Sequence, residues 1–213
     1  MIIPALNAAR TLPATLAALG PVAEVIVVDG GSRDGTIAVA AGARVVVAPR
    51  GRGSQLAAGI AAARRDWFLL LHADTRLEAG WRKAAAGFMA AGVGHAAWFR
   101  FALDSVDPRA RRLERLVAWR CRVLALPYGD QGLLVHRDLL DSIGGIRPMP
   151  LMEDVDLVRR LGRHRLVGLD AAAVTSAAKW ERDGWHRRSA RNLVCLALYF
   201  AGVPVRTIAR LYA

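Results

Sequence analysis

Short apolar runs alternate with alanine-rich segments through the first hundred residues of this 213-residue chain. Residues 25–28, 45–47 and 67–71 are continuous apolar runs, which are typical of strands buried on both faces. The segments 11–19, 36–41 and 54–65 favour helix, because alanine has the highest helix propensity. This alternation predicts βαβ units, and hence an α/β fold with a mostly parallel sheet flanked by helices.

The second half of the chain has a less regular pattern. We expect strands at 96–103, 132–135, 166–169 and 173–175, and helices at 108–126, 152–161 and 185–201. A further helix should follow the strand at 132–135 and end at Gly144-Gly145. The sequence shows no internal repeat, low-complexity linker or composition break. A chain of this size can bury most of its apolar surface around one core, so we expect a single domain over 1–213.

The chain is strongly basic, with a formal net charge of +12. Such an excess indicates nucleic acid, an anionic membrane surface or a phosphate-bearing substrate as a partner. Of the 30 basic residues 28 are arginine, and they are spread over both halves rather than gathered in one arm. No known nucleic-acid-binding module accompanies them, so we expect no nucleic-acid partner.

Two sequence features bear on the compartment. Two cysteines are too few for a disulfide framework, and no basic segment followed by an apolar one opens the sequence, so we expect a cytoplasmic protein. The uncharged run 193–205 is shorter than the roughly 18–20 residues that cross a bilayer. We interpret it as a buried helix; an interfacial helix flanked by arginines, in contact with the inner face of the membrane, is the alternative.

The chain opens with Met1-Ile2-Ile3-Pro4, which we interpret as a strand entering a loop. Polar residues and glycines follow this first strand and each of the three apolar runs. Because ligands of doubly wound sheets bind at the carboxyl ends of the strands, these positions are candidates for a site. They are Pro4 and Asn7 after the first strand, Asp29, Gly30 and Asp34 after the second, Arg52, Gly53 and Gln55 after the third, and Ala73 and Asp74 after the fourth.

Each acidic candidate has a structural and a functional interpretation. Asp29 either forms a turn or hydrogen-bonds a ribose or base. Asp74 either caps a turn or binds a divalent cation, since Mg²⁺ and Mn²⁺ favour carboxylate and phosphate oxygens. Glu153 and Asp154 either stabilise a helix N-terminus or supply a general base.

Taken together, these stretches resemble glycosyltransferase family 2 enzymes with a GT-A fold. The opening IIPALN (2–7) resembles the family's first strand, VVDGGSRDGT (27–36) its nucleotide-binding loop, and LHADT (71–75) its D-x-D position. GDQG (129–132) and MED (152–154) resemble its acceptor-side loop and catalytic E-D motif. The ordered set covers about residues 2–160. RGSQ (52–55) and HADT (72–75) are similar to the corresponding segments of a small bacterial subgroup of the family.

The resemblance implies inverting transfer of a sugar from a nucleotide-diphosphate donor, of UDP or GDP type, to an acceptor hydroxyl. Asp29 would hold the nucleoside, Asp74 would ligate Mg²⁺ or Mn²⁺, and Asp154 would be the base. Residues 1–103 would then form a nucleotide-binding half, and 104–213 an acceptor half with C-terminal helices. The acceptor-side candidates are Asp130, Gln131, Glu153 and Trp180, and a phosphorylated or lipid-linked acceptor would suit the basic charge.

The sequence departs from the family pattern in three places. His72 stands at the first acidic position of D-x-D, and Ala8 stands where the family usually has an acid after the opening Asn. Lys179-Trp180-Glu181-Arg182 only approximates the family's Q-x-x-R-W sequence. Two alternatives therefore stay open: a nucleotidyltransferase, or a non-catalytic protein of the same fold that binds nucleotide sugars or an anionic surface.

Overall fold

The structure is a computed structural model that describes residues 1–212, and its first half has the predicted strand–helix alternation. Four short strands alternate with three helices. The strands are β1 (Ile2–Ala5), β2 (Ile26–Asp29), β3 (Arg44–Val47) and β4 (Trp67–Leu70), and the helices are α1 (Leu12–Leu19), α2 (Thr36–Val39) and α3 (Arg52–Ala62).

The chain from residue 75 onward adds four strands and seven helices. The strands are β5 (Thr75–Leu77), β6 (Ala96–Leu103), β7 (Leu133–His136) and β8 (Leu166–Thr175). The helices are α4 (Trp81–Ala90), α5 (Pro108–Leu124), α6 (Arg137–Ser142), α7 (Glu153–Leu161), α8 (Ala178–Asp183), α9 (Trp185–Phe200) and α10 (Val205–Tyr212).

All eight strands join one sheet in the order β3-β2-β1-β4-β7-β6-β8-β5. Strands β7 and β5 run against the other six, so the sheet is mostly parallel. The ends of β1 and β2 lie side by side, with Ala5 opposite Asp29. The loops that follow β1 to β4 therefore meet at one edge, as the strand pattern predicted.

Neighbouring residues of each central strand point into different cores. Ile3 packs with Leu12 and Trp81, on the face covered by α1 and α4. Ile2 packs with Leu56 and Leu157, on the face covered by α3, α6 and α7. This burial on both faces explains why the strands are continuous apolar runs rather than alternating ones.

Two predictions for the second half need correction. The strands expected at 166–169 and 173–175 are one strand, β8, whose pairing with β6 shifts register between Phe99 and Arg100. The polar Asp170 at this irregularity interrupts the apolar pattern, which made one strand look like two. Strand β5 and helices α4, α8 and α10 were not predicted.

The prediction of a buried C-terminal helix is also only partly right. Helix α9 buries Trp185 and Cys195, yet Leu193, Val194 and Phe200 are each at least half exposed. Within residues 1–212, no helix combines the length and apolar character that crossing a membrane requires.

Candidate functional site

The loops after β1 and β2 are joined to each other by hydrogen bonds. The Asn7 N–H donates to Ser32 Oγ at 2.9 Å, and the Arg33 N–H donates to Asn7 Oδ1 at 2.9 Å. The Ala9 N–H donates to Asp34 Oδ2 at 3.1 Å. Asn7 adopts a φ of 50°, a left-handed conformation that asparagine tolerates better than most residues. Asn7 and Asp34 thus join the loop after β1 to the loop after β2.

Asp29 and Asp34 both hold the second loop in place. Asp29 is buried, and its Oδ2 accepts hydrogen bonds from the N–H groups of Gly31 (2.9 Å) and Ser32 (3.0 Å). Asp34 Oδ1 accepts from the N–H (3.0 Å) and the hydroxyl of Thr36. The hydrogen bond from the Thr36 hydroxyl lowers the pKa of Asp34. Both carboxylates therefore have partners within the protein.

Gln55 lies beneath this loop rather than facing the crevice. Its Nε2 donates to the carbonyls of Ala5 (2.8 Å) and Val28 (2.7 Å), and the residue is 3% exposed. A Cβ on Gly30 would lie 3.0 Å from the Gln55 amide, which is why a glycine suits that position. The structure thus gives Gln55 the role of joining the ends of β1 and β2.

Helix α3 delivers a guanidinium to the centre of the site. Arg52 Nε lies 2.7 Å from Glu153 Oε1, and Arg52 Nη1 lies 3.3 Å from His72 Nε2. Burial, followed by the charge of Arg52, lowers the pKa of His72 to about 4. The imidazole is therefore neutral at pH 7, and Nε2 can accept the hydrogen bond from Arg52.

Gly53 allows this approach of α3. The Gly53 N–H donates to the Met149 carbonyl at 3.3 Å. A Cβ at this position would lie 2.4 Å from the Arg147 carbonyl oxygen and 2.6 Å from Met149 N. Because both neighbours are backbone atoms, only glycine lets α3 pack against this segment.

Asp154 is held as an oriented carboxylate at the start of α7. Its Oδ2 accepts from the Gly129 N–H at 2.9 Å, and its Oδ1 accepts from the Val155 N–H at 2.8 Å. Burial favours the neutral acid, but the charge of Arg52 and the Gly129 hydrogen bond outweigh it and lower the pKa of Asp154. Asp154 is therefore ionised at neutral pH and able to accept a proton.

Buried polar atoms without a partner surround Asp154. Among residues 1–212, Tyr128 Oη, Asp130 Oδ1 and Glu153 Oε2 have no hydrogen-bond partner. Burial raises the pKa of Asp130 to about 6 and that of Glu153 to about 7, despite nearby arginines. Unsatisfied buried polar atoms are rare in folded proteins, so this cluster indicates a place for ligand hydroxyls or water.

Asp74 is paired with a residue that the sequence analysis did not connect to it. Lys179 Nζ lies 2.7 Å from Asp74 Oδ2, although the two residues are 105 positions apart. The charge of Lys179 lowers the pKa of Asp74 against the effect of burial.

The residues near Asp74 could hold a divalent cation only if a ligand supplied most of its coordinating oxygens. Within residues 1–212, no group of three or more His, Cys, Asp or Glu side chains is arranged to hold a metal ion. Asp74 offers a carboxylate, while Nε2 of His72 faces Arg52. A single carboxylate fits Mg²⁺ or Mn²⁺ when phosphate oxygens and water complete the shell.

The remaining candidates play mainly supporting parts. Gln131 is buried; its Oε1 accepts from Arg120 (3.2 Å), and its Nε2 donates to the Phe99 carbonyl (3.2 Å). Trp180 stacks on Trp185 with ring centroids 6.0 Å apart. Pro4 lies inside β1 rather than after it as predicted, and Ala73 lies in the segment that follows β4; both are buried.

A narrow cavity of about 30 Å³ extends below the site, between α3, α7 and the loop at 127–129. Its lining includes His72, Gly129, Glu153 and Asp154. This volume suits about one water molecule, not a sugar. A larger ligand would therefore lie above the strand ends.

Comparison with known proteins adds a family and a fold. The family model of glycosyl transferase family 2 matches residues 1–149. Uncharacterized glycosyltransferases of Mycobacterium bovis and Mycobacterium tuberculosis are 43% identical over 83 residues. That segment spans 38% of this chain and 38% of the curated relatives it matches.

Solved structures of similar fold cover most of the chain. One is glucosyl-3-phosphoglycerate synthase from Mycobacterium tuberculosis in complex with Mn²⁺ and UDP-glucose. The two structures superpose with a TM-score of 0.63 at 24% sequence identity, and the match covers 95% of this chain and 78% of the synthase. A complex of the same enzyme with glycerol 3-phosphate has a TM-score of 0.63 at 23% identity, covering 95% and 79%. A further mycobacterial protein has a TM-score of 0.57 at 26% identity, covering 82% and 63%.

Proposed function

The chain belongs to glycosyl transferase family 2, and from that premise we propose that it transfers a sugar from a nucleotide-diphosphate donor to an acceptor hydroxyl, with inversion at the anomeric carbon. The observation that carries this proposal is the oriented, ionised Asp154 beside the unpartnered atoms of Tyr128, Asp130 and Glu153. A general base needs such a carboxylate within hydrogen-bond reach of the hydroxyl that it deprotonates.

In this proposal the donor lies over residues 1–103. The joined loops after β1 and β2 hold the nucleoside, with Asp29 keeping the second loop folded. Arg52 places a positive charge next to the reacting groups. A Mg²⁺ or Mn²⁺ ion bound at Asp74 would supply Lewis-acid stabilisation of the departing nucleoside diphosphate. The similar fold of a protein crystallised with Mn²⁺ and UDP-glucose supports a donor of this class.

The acceptor lies toward residues 104–213. Its hydroxyl faces Asp154, and its other hydroxyls reach Asp130 and Glu153, whose free oxygens lack partners among residues 1–212. A phosphorylated or lipid-linked acceptor would suit the basic chain. Glycerol 3-phosphate and phosphoglyceric acid in crystals of the similar enzyme support the phosphorylated kind.

Asp154→Asn tests the assignment of the base. A thermal-shift screen of nucleotide sugars with and without Mn²⁺ first identifies the donor, because a ligand that binds only the native state raises apparent stability. We then expect Asp154→Asn to lower kcat roughly 100-fold or more. The exposed Asp141 offers the matched control Asp141→Asn, with wild-type turnover. Unchanged turnover in Asp154→Asn would remove Asp154 as base.

The same assay separates the alternatives. Release of nucleoside diphosphate is the expected result, whereas pyrophosphate release would identify a nucleotidyltransferase. Donor binding without hydrolysis or transfer to any acceptor would identify a non-catalytic binding protein.

We also propose that α9 rests on an anionic membrane surface, since an exposed apolar strip flanked by arginines suits an interface. Leu193, Val194 and Phe200 supply the exposed apolar surface, with Arg187 and Arg206 near the ends of the helix. We expect flotation with vesicles that contain phosphatidylglycerol, but not with phosphatidylcholine alone. Leu193→Asp should abolish flotation and Val106→Asp, at an exposed residue far along the chain, should not. Equal flotation of both variants would refute the assignment to α9.

A further inference from the structure

The ammonium group of Lys179 occupies one carboxylate oxygen of Asp74, the residue that we propose as the ligand of the divalent cation. Lys179 Nζ lies 2.7 Å from Asp74 Oδ2, and the Asp74 side chain is only 13% exposed. An ammonium and a metal ion cannot share that oxygen without strong repulsion, because nearby like charges repel most where solvent is scarce. The pair therefore bears directly on how a cation enters.

The backbone fixes the two residues close together. Strand β5 pairs with β8 so that Thr75 lies opposite Thr175, and their hydroxyls are 2.8 Å apart. Just beyond this pair, the Ser176 N–H donates to the Asp74 carbonyl at 3.0 Å. Helix α8 begins two residues later, which places Lys179 above Asp74. The position of Lys179 thus follows from sheet register rather than from a chance surface contact.

The lysine side chain nevertheless stays free to move. It is 55% exposed, and its hydrogen bond to Asp74 joins it to one oxygen only. Lysine carries a compact charge on a flexible stem, whereas arginine makes rigid, forked contacts. In a chain with 28 arginines and two lysines, this position holds the more easily displaced of the two cations.

A cation alone would also meet a second positive charge. Arg52 Nη1 lies 3.3 Å from His72 Nε2, on the strand-end segment that carries Asp74. The negative charges of a diphosphate largely cancel those of a divalent cation, and Lys179 and Arg52 already face Asp74 and Glu153. Metal and diphosphate together therefore add little net charge to the site, whereas a cation alone adds positive charge.

We propose that Lys179 competes with a divalent cation for the carboxylate of Asp74. When the cation displaces it, the Lys179 ammonium pairs with the donor diphosphate. Metal and donor therefore bind together. This inference rests on the proposed donor, but the competition between Lys179 and the cation does not require it. Lys179 is a positioning residue that makes metal binding depend on the nucleotide.

Binding of Mn²⁺ alone tests the competition. We would titrate the protein with MnCl₂ without nucleotide and follow free Mn²⁺ by electron paramagnetic resonance. Lys179→Met should bind Mn²⁺ at least about tenfold more tightly than wild type, and Asp74→Asn added to that variant should remove the gain. Lys83 is the chain's other lysine and is also exposed, so Lys83→Met is the matched control and should match wild type. Equal Mn²⁺ affinity in Lys179→Met and wild type would overturn the proposal.

Calorimetry with UDP and GDP, at a Mn²⁺ concentration that saturates each protein, tests the second step. Lys179→Met should weaken binding of the favoured nucleotide severalfold, because the displaced ammonium no longer pairs with the diphosphate, and Lys83→Met should not. Unchanged nucleotide affinity in Lys179→Met would overturn the pairing with the diphosphate. If wild type binds neither nucleotide, with or without Mn²⁺, the proposed donor class fails, while the Mn²⁺ titration still decides the competition.

Discussion

Replacing Gly53 with alanine should open the contact between α3 and the segment at 147–149. The added Cβ would lie 2.4 Å from the Arg147 carbonyl oxygen, 2.6 Å from Met149 N and 2.8 Å from the Met149 carbonyl oxygen. Carbon atoms need roughly 3.5 Å from such neighbours, so the backbones must separate by about 1 Å. All three neighbours are backbone atoms, so no side chain can move aside.

The cost can be estimated from its parts. Overpacking of this kind costs about 1–3 kcal/mol. The weakened hydrogen bond from the Gly53 N–H to Met149 adds up to about 1 kcal/mol, and the better helix propensity of alanine returns at most about 1 kcal/mol. We expect Gly53→Ala to lower the free energy of unfolding by about 2 kcal/mol. For a chain of this size, that lowers Tm by about 4–8 °C.

Urea unfolding monitored by circular dichroism measures this effect. Gly87→Ala is the matched control: Gly87 lies inside α4 with no atom within 4 Å of an added Cβ, so alanine should stabilise the protein by about 0.5–1 kcal/mol. Catalytic turnover of Gly53→Ala should fall as well, because α3 carries Arg52 to Glu153. Wild-type stability in Gly53→Ala would refute the close packing of α3 on the segment at 147–149.

Two further predictions concern buried polar side chains. Gln55→Leu should lower the free energy of unfolding by about 1–3 kcal/mol in the same urea assay, because the Ala5 and Val28 carbonyls both lose the Gln55 hydrogen bond, although the Gly30 N–H still donates to Ala5. A loss below about 0.5 kcal/mol would contradict this role. Asp130 has a raised pKa of about 6, so between about pH 4 and 6 the folded protein binds a proton that the unfolded chain releases. The contribution of Asp130 to stability should therefore fall by up to about 3 kcal/mol as the pH rises through that window, and the difference in stability between wild type and Asp130→Asn should change by that amount. An identical pH profile in both proteins would contradict the burial of Asp130.

The sheet and its ligand-binding edge could be predicted from sequence because burial leaves a local pattern. The runs at 25–28, 45–47 and 67–71 became β2, β3 and β4 within one or two residues. The helix expected at 54–65 became α3, beginning two residues earlier. Strand β5 was missed because its three residues are too few to show a period.

The roles of individual site residues were harder to predict. Asp29 and Gln55 have the polarity of ligand-binding groups, yet their hydrogen bonds run to backbone groups of the protein. Nothing in a side chain's type shows whether its hydrogen-bond partner will be a ligand or a neighbouring strand. That choice depends on which way the loop folds back.

By itself, the sequence determined the strand–helix order, the mostly parallel sheet and the family, because these follow from periodic burial and from short ordered motifs. Only the tertiary structure decided which charges meet: Arg52 with Glu153, and Asp74 with Lys179. Each pair joins residues about a hundred positions apart, on loops brought together by sheet order and register. Local sequence carries no record of such pairings, since an ionic contact depends on distance in space and not on spacing along the chain.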